Sequence, residues 1–151
     1  MKLQSILHHA ENGRNKHPEL ASRIDRAVAL LKQGGITRDG DSDFLVPSGS
    51  TKGQVYRVNG VCQCPDYLGT DPRTGRPLTE FAPEVNGQRW CKHRLAMLLI
   101  IKQESDQERR TSERVRLQDE YDQAETALEA AFPRFVDAGK RLHDFIVAED
   151  A

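Results

Sequence analysis

Long apolar runs are missing from this chain of 151 residues. The longest uninterrupted apolar stretch is the seven residues from Leu95 to Ile101, whereas a membrane-spanning helix needs about 20. The N-terminal residues turn polar soon after Leu7 and contain no signal-peptide apolar region. These absences predict an intracellular, cytoplasmic protein in a reducing compartment, with no membrane partner.

Aromatic residues are scarce as well, and neither sign of charge dominates. Aromatics make up 6% of the chain, apolar residues 37% and charged residues 30%, with a net charge of −1. The charge is uneven along the chain: +1 over residues 1–50, +4 over residues 51–102 and −6 over residues 103–151. Nucleic-acid-binding domains are usually more basic than the middle segment, so its charge favours such a partner only weakly.

Cysteine is limited to three residues, which is an odd number, and all three lie in one stretch with a histidine close by. Cys62, Cys64, Cys91 and His93 supply three thiolates and one imidazole, which fill a tetrahedral zinc shell and leave no position for water. Closed shells of this kind are structural. Two other interpretations are open at this level: ordinary buried thiols with a surface histidine, or one disulfide with a cysteine left over.

The spacing of these residues predicts their local structure. Strand side chains alternate, so Cys62 and Cys64 would lie on the same side of a strand or tight knuckle. Residues two apart diverge on a helix, so Cys91 and His93 should lie at a loop-to-helix transition. The apolar run that starts at Leu95 would then anchor the helix in a core.

The run Cys62-Gln63-Cys64-Pro65-Asp66-Tyr67, followed by Cys91-Lys92-His93 and an apolar helix, resembles the SWIM-type zinc finger. That family has the pattern Cys-x-Cys, a variable gap, then Cys-x-His. The resemblance covers roughly residues 43–101, and its gap, residues 65–90, is long for the family. It implies a ββα arrangement around one zinc ion held by Cys62, Cys64, Cys91 and His93, and binding to DNA or protein partners.

Helix periodicity and breakers predict the elements before this motif. A short amphipathic helix spans residues 3–10 and a turn spans residues 13–17. A second helix starts at Pro18, stops at Gly34-Gly35 and packs on the zinc module, with Arg23 on its solvated face.

The residues between that helix and the cysteines suggest a sheet. Residues 36–43 form a loop, and strands follow at residues 44–46 and 54–58. The Asn59-Gly60 turn delivers residues 61–64 back across the second strand, which predicts a three-strand meander that ends in the cysteine knuckle. The insertion, residues 65–90, is too rich in proline and glycine for regular structure, except where Asn86-Gly87 turns a short hairpin.

The C-terminal segment has strong helix propensity to Phe132, and Pro133 should end that helix before a second one begins. A heptad-like seam is formed by Leu117, Tyr121, Ala124, Leu128 and Ala131. This pattern favours a helical hairpin or a coiled-coil arm that pairs with another copy or another protein.

The sequence therefore predicts an α+β protein in three parts: N-terminal helices (1–35) packed on a small ββα zinc-binding module (36–102), then a helical arm (103–151). We expect a zinc-stabilised module that binds nucleic acid, most simply DNA; the alternative is an adaptor that docks or dimerises through its C-terminal helices. The metal shell is closed and no acid–base pair stands out, so we expect no enzyme activity. The phosphate contacts would come from Lys52, Arg57, Arg73, Arg76, Arg89, Lys92 and Arg94.

Overall fold

The computed structural model describes the backbone of residues 3–149 and the side chains of residues 3–141. The chain divides into two compact units, Met1–Asp106 and Gln107–Ala151. The first unit contains the described strands and the candidate metal ligands, and the described residues of the second are all helical. The protein is thus a mixed α and β structure with a small sheet and a long C-terminal helix.

Two helices open the first unit. Helix α1 spans Leu3–Lys16, a 3-10 turn spans Pro18–Leu20, and helix α2 spans Ala21–Gln33. The predicted turn at residues 13–17 is wrong, because α1 continues to Lys16. A Cβ on Gly13 would lie 3.2 Å from the Ile24 side chain, so this glycine permits close helix packing and does not end the helix. The predicted stop at Gly34 is confirmed by its φ of 78°.

Three antiparallel strands follow, in the order β1 (Thr37–Asp39), β2 (Asp43–Pro47) and β3 (Val55–Val58). Strands β2 and β3 confirm the prediction, and they pair Phe44 with Val58 and Val46 with Tyr56. These four side chains are buried, while their neighbours in β3 are exposed, as expected of a sheet with one face in the core.

Two parts of the predicted sheet were wrong. Residues 37–39, expected in a loop, form strand β1, and the segment of Cys62 and Cys64 makes only a single bridge, between Val58 and Cys62. The turn before it is tight, with the Asn59 N–H donating to the Val61 carbonyl. Pro65 then begins a helix and has no N–H to give to a strand ladder. Of the two predicted forms, a strand or a tight knuckle, the cysteine segment therefore takes the knuckle, beside the sheet.

The insertion has more regular structure than its composition predicts. Helix α3 spans Pro65–Leu68, and a two-stranded hairpin joins β4 (Glu84–Val85) to β5 (Gln88–Arg89). The predicted turn of that hairpin is confirmed: Asn86 and Gly87 have φ values of 53° and 72°. Between these elements, the Gly75 N–H donates to the Asp71 carbonyl and closes another turn.

The last helix, α4, spans Lys92–Glu149, a length of 58 residues. Pro133 lies inside it, so the predicted helix end and the helical hairpin are wrong for the described residues. An interior proline costs a helix about 3 kcal/mol and removes one backbone hydrogen bond. The strong helix formers around it, such as Ala130, Ala131 and Arg134, keep the backbone helical on both sides.

One hydrophobic core joins the elements of the first unit. It combines one face of α1 and α2, the inner face of β2 and β3, and the apolar start of α4, where Leu95, Ala96, Leu99 and Ile100 are buried. The three cysteines belong to the same cluster. Across the described part of the chain, no helix has the length and apolar character needed to cross a membrane.

Candidate metal centre

Each end of the insertion carries a cysteine at the start of a helix. Cys64 caps α3 in an extended conformation, and its sulfur accepts the Tyr67 N–H at 3.3 Å. Cys91 directly precedes α4, and its sulfur accepts the Arg94 N–H at 3.5 Å. Each of these two sulfurs therefore accepts a backbone N–H of the helix that it precedes.

The structure brings the four predicted ligands together. The Sγ atoms of Cys62, Cys64 and Cys91 and a ring nitrogen of His93 all lie within 4.8 Å of one another. All four residues are buried, with exposed fractions of 2% or less. Zinc–sulfur bonds of about 2.3 Å and zinc–nitrogen bonds of about 2.0 Å place tetrahedral ligand atoms roughly 3.5 to 3.8 Å apart. The four residues therefore fit one metal ion.

The cysteines are free thiols in the structure, and no disulfide joins them. Their clustering also sets aside the alternative of a surface histidine, because His93 is 2% exposed. As predicted, Cys91 lies in the last position before the helix and His93 in its first turn. The bend between loop and helix is what allows two side chains so close in sequence to meet at one point.

The His93 ring has few hydrogen-bonding options. Its Nδ1 atom lies 3.9 Å from the Cys62 sulfur, and its ring packs on Tyr56 with centroids 4.8 Å apart. Its Nε2 atom is buried and has no hydrogen-bond partner among the described residues. Sulfur is a weak hydrogen-bond partner, so a buried imidazole that faces mainly sulfur is better suited to bind a metal than to hydrogen-bond.

The sulfurs influence one another strongly in the absence of an ion. The contact with Cys62, the contact with Cys91 and burial all raise the pKa of the Cys64 thiol. Cys64 lowers the pKa of Cys62, but Cys91 and burial outweigh it and raise that pKa to about 12. Hydrogen bonds donated by the Cys62 and Cys64 thiols lower the pKa of Cys91. The three thiols therefore titrate as one interacting cluster, and a bound cation would favour their thiolate forms.

An ion pair beside this cluster was missed by the sequence analysis. Arg23, which the helix periodicity placed in solvent, lies 2.9 Å from the Asp66 carboxylate, and both side chains are mostly buried. Burial raises the pKa of Asp66, and Arg23 opposes that rise. The Asp66 carbonyl also accepts the Ala82 N–H at 2.7 Å. No local sequence signal reveals this contact, since its partners are 43 positions apart.

Arg94, one of the predicted phosphate contacts, has partners within the chain. It is 8% exposed, and its guanidinium donates to the Arg89 carbonyl and to the Gln88 side chain, both at 2.8 Å. The same group stacks over the Trp90 ring at 4.2 Å. Arg94 therefore fastens the β4–β5 hairpin to the start of α4.

Two more of the predicted arginines have partners within the chain. Arg57 is exposed but pairs with Asp39 and, at 3.6 Å, with Asp43. Arg89 donates to the carbonyls of Tyr67 and Leu68 at 3.0 and 3.1 Å and lies over an aromatic ring of the insertion. Both arginines contribute to the fold.

The other predicted basic residues lie at the surface. Lys52, Arg73 and Arg76 are exposed, and Lys92 is half-buried. The Lys92 ammonium comes close to Gly49, whose loop between β2 and β3 also carries Lys52. The structure therefore places Lys92 next to the loop of Lys52, while Arg73 and Arg76 belong to the turn that follows Asp71.

Comparison of the chain with protein-family models, with curated proteins and with solved structures finds no match. The resemblance to the SWIM-type zinc finger therefore depends on the spacing of the four ligand residues and the apolar helix that follows them.

Proposed function

We propose that this protein is a zinc-stabilised binding module in which Cys62, Cys64, Cys91 and His93 hold one structural zinc ion. The observation that carries the proposal is the convergence of four buried zinc-type ligands from two distant segments of the chain. Three sulfurs and one imidazole complete a tetrahedral shell, so neither water nor a substrate has a place on the ion. We therefore assign the site to folding and not to catalysis.

The chemistry of the ligands supports zinc over other common ions. Thiolate and imidazole ligands suit zinc, whereas calcium and magnesium prefer carboxylate and carbonyl oxygens. A structural zinc site contributes on the order of 10–16 kcal/mol of apparent binding free energy at neutral pH. That contribution would fix the start of α4 against the knuckle and sheet in a unit with a small core.

Cobalt substitution tests the proposed ligand set. Cobalt(II) bound to several thiolates in a tetrahedral site gives strong visible absorption, and zinc should displace it. We expect this spectrum for the native chain and for His8→Ala, since His8 is an exposed histidine of α1. Cys62→Ser should lose most of it. A native protein that gives only the pale spectrum of octahedral cobalt would overturn the proposed site.

For the partner, we propose a nucleic acid that contacts exposed basic side chains of the first unit through its phosphates. Arg57, Arg89 and Arg94 have partners within the fold, so we assign this role to the other predicted residues: Lys52, Arg73, Arg76 and Lys92. Lys52, Arg73 and Arg76 are exposed, Lys92 is half-buried, and residues 51–102 carry a net charge of +4. Lysine and arginine bind phosphates without reading sequence, so affinity should fall steeply as salt rises.

Fluorescence anisotropy with labelled DNA and RNA duplexes tests this partner. The double variant Arg73→Ala/Arg76→Ala should weaken binding and reduce the slope of log affinity against log salt by about one for each lost phosphate contact. The matched control is Arg26→Ala/Lys32→Ala, which removes the same charge from exposed positions of α2. Absence of binding to either duplex at low salt would remove the nucleic-acid proposal.

A second candidate function is that of a protein-interaction adaptor, as the sequence suggested. Large apolar side chains of α4 in the second unit favour this function because they are exposed. The exposed fractions are 52% for Leu117, 70% for Leu128 and 78% for Phe135. Contiguous apolar surface of this kind marks sites of association in soluble proteins. If the full-length protein associated neither with itself nor with another protein through these apolar side chains of α4, this candidate would be without support.

A further inference from the structure

Because α4 continues through Pro133, its apolar seam is longer than the sequence analysis allowed. The alternating steps of four and three do not stop at Ala131 but continue to Phe135 and Ala138. Leu142 and Phe145 keep the same spacing further along the sequence. A heptad pattern sustained over three to four repeats is typical of a coiled coil.

Between Tyr121 and Ala138 the seam has a regular division of side-chain size, whereas Leu117, the d position before this stretch, is large. In heptad notation, its a positions hold the large residues Tyr121, Leu128 and Phe135, and the d positions between and after them hold alanines. These alanines are Ala124, Ala131 and Ala138. All six residues are exposed in the single chain, so nothing in the described structure covers them.

This division decides how two copies can pack. In a parallel pair, each a residue faces its own counterpart, so layers of two large side chains alternate with layers of two alanines. Such layers alternate between crowding and voids, and voids in an interface lose packing energy. In an antiparallel pair, a positions face d positions, so each of Tyr121, Leu128 and Phe135 meets an alanine and the layers from Tyr121 to Ala138 have similar volumes.

Charges beside the seam favour the same orientation. Glu120 and Arg141 occupy g positions, and Glu125 occupies an e position. A parallel pair would bring Glu120 close to Glu125 of the other copy, which is repulsive. An antiparallel pair centred between Leu128 and Ala131 brings Glu120 close to Arg141 of the other copy, which is attractive and occurs twice by symmetry.

Pro133 fits this arrangement as well. It falls at an f position, on the side of the helix opposite the seam, so its ring and the carbonyl that it leaves unbonded stay clear of the interface. Arg110 and Arg114 occupy the next seam positions toward the N-terminus and end the apolar stripe there.

We propose that residues 117–141 of α4 pair with the same segment of a second copy of this chain in an antiparallel coiled coil, with Leu128 opposite Ala131 at its centre. The proposal deepens the adaptor candidate by naming its partner and orientation. It involves no residue of the metal centre, so metal content measured on the same samples separates its failure from a failure of the zinc proposal.

Sedimentation equilibrium of the full-length protein tests the pairing. We expect a dimer, and we expect Leu128→Lys to weaken it by at least about tenfold because a lysine would be buried against alanine. The control is Val115→Lys, which changes a similarly exposed apolar residue at a b position outside the seam. A protein that remains monomeric at high concentration, or a dimer equally insensitive to both changes, would overturn the proposal.

Charge reversal tests the orientation. In an antiparallel dimer, Glu120→Arg and Arg141→Glu should each weaken association by roughly fivefold, since each places two like-charged pairs across the interface, and the double variant should restore it. In a parallel dimer, Glu120→Arg would relieve a repulsion and strengthen association. That opposite sign would overturn the antiparallel arrangement. Circular dichroism of each variant checks that α4 stays helical.

Discussion

The Arg23 guanidinium lies 2.9 Å from the Asp66 carboxylate, with exposed side-chain fractions of 16% and 21%. Arg23 belongs to α2, and Asp66 lies in α3 two residues after the ligand Cys64. The ion pair thus connects the N-terminal helices to the cysteine knuckle. Because the carboxylate is partly buried, its charge depends on that arginine.

Removing Arg23 should therefore destabilise the first unit. We expect Arg23→Ala to lower the free energy of unfolding by about 1–3 kcal/mol, since the Asp66 carboxylate would lose its ionic partner in a partly buried place. Urea unfolding followed by the fluorescence of Trp90, the single tryptophan of the chain, measures the change. Arg26→Ala, at an exposed position of the same helix, should stay within about 0.5 kcal/mol. Equal effects of the two substitutions would contradict the importance of this pair.

Substitution of Arg94 should affect mainly stability, whereas substitution of Arg76 should affect mainly nucleic-acid binding. Arg94→Ala removes the contacts that hold the β4–β5 hairpin, so we expect a loss of about 1–3 kcal/mol in stability. Arg76→Ala removes an exposed side chain, so it should leave stability within about 0.5 kcal/mol and weaken only nucleic-acid binding. Thermal unfolding and anisotropy on the same two variants measure both quantities. A destabilised Arg76 variant, or a fully stable Arg94 variant, would contradict these assignments.

Loss of the metal should unfold the first unit and not merely weaken a contact. We expect Cys64→Ser, or a strong chelator added to the native chain, to abolish the cooperative unfolding transition reported by Trp90. Without the ion, the two ends of the insertion would no longer be joined, and the small core alone would have to hold them together. Ser112→Ala, a change at an exposed position of the second unit, serves as the control. A Cys64→Ser protein with an unchanged melting temperature would show that the core folds without the ion.

The sequence predicted the parts of this structure that depend on local chemistry. The stop of α2 at Gly34, the alternation in β3 and the hairpin turn at Asn86-Gly87 each follow from a few neighbouring residues. The meeting of Cys62, Cys64, Cys91 and His93 was also predicted, because each pair has a spacing suited to one bend of the backbone. Zinc binding itself remains a proposal.

The errors concern contacts between residues that are far apart in the chain. Strand β1 has weak strand character and forms because β2 offers it an edge, with Thr37 paired to Leu45. Arg23 looked solvated because its partner comes from another element. The sequence predicts a turn from Gly13 and a helix end at Pro133, but Gly13 allows close helix packing inside α1, and strong helix propensity on both sides of Pro133 keeps α4 helical.

The central claim is that the four buried ligands hold one zinc ion, and the most direct test is the metal content of the native protein. Full-length chain purified without added metal or chelator should contain close to one equivalent of zinc by elemental analysis, while a Cys62→Ser/Cys91→Ser variant prepared in parallel should contain almost none. Native protein with far less than one equivalent of any metal, still folded and cooperative, would contradict the account.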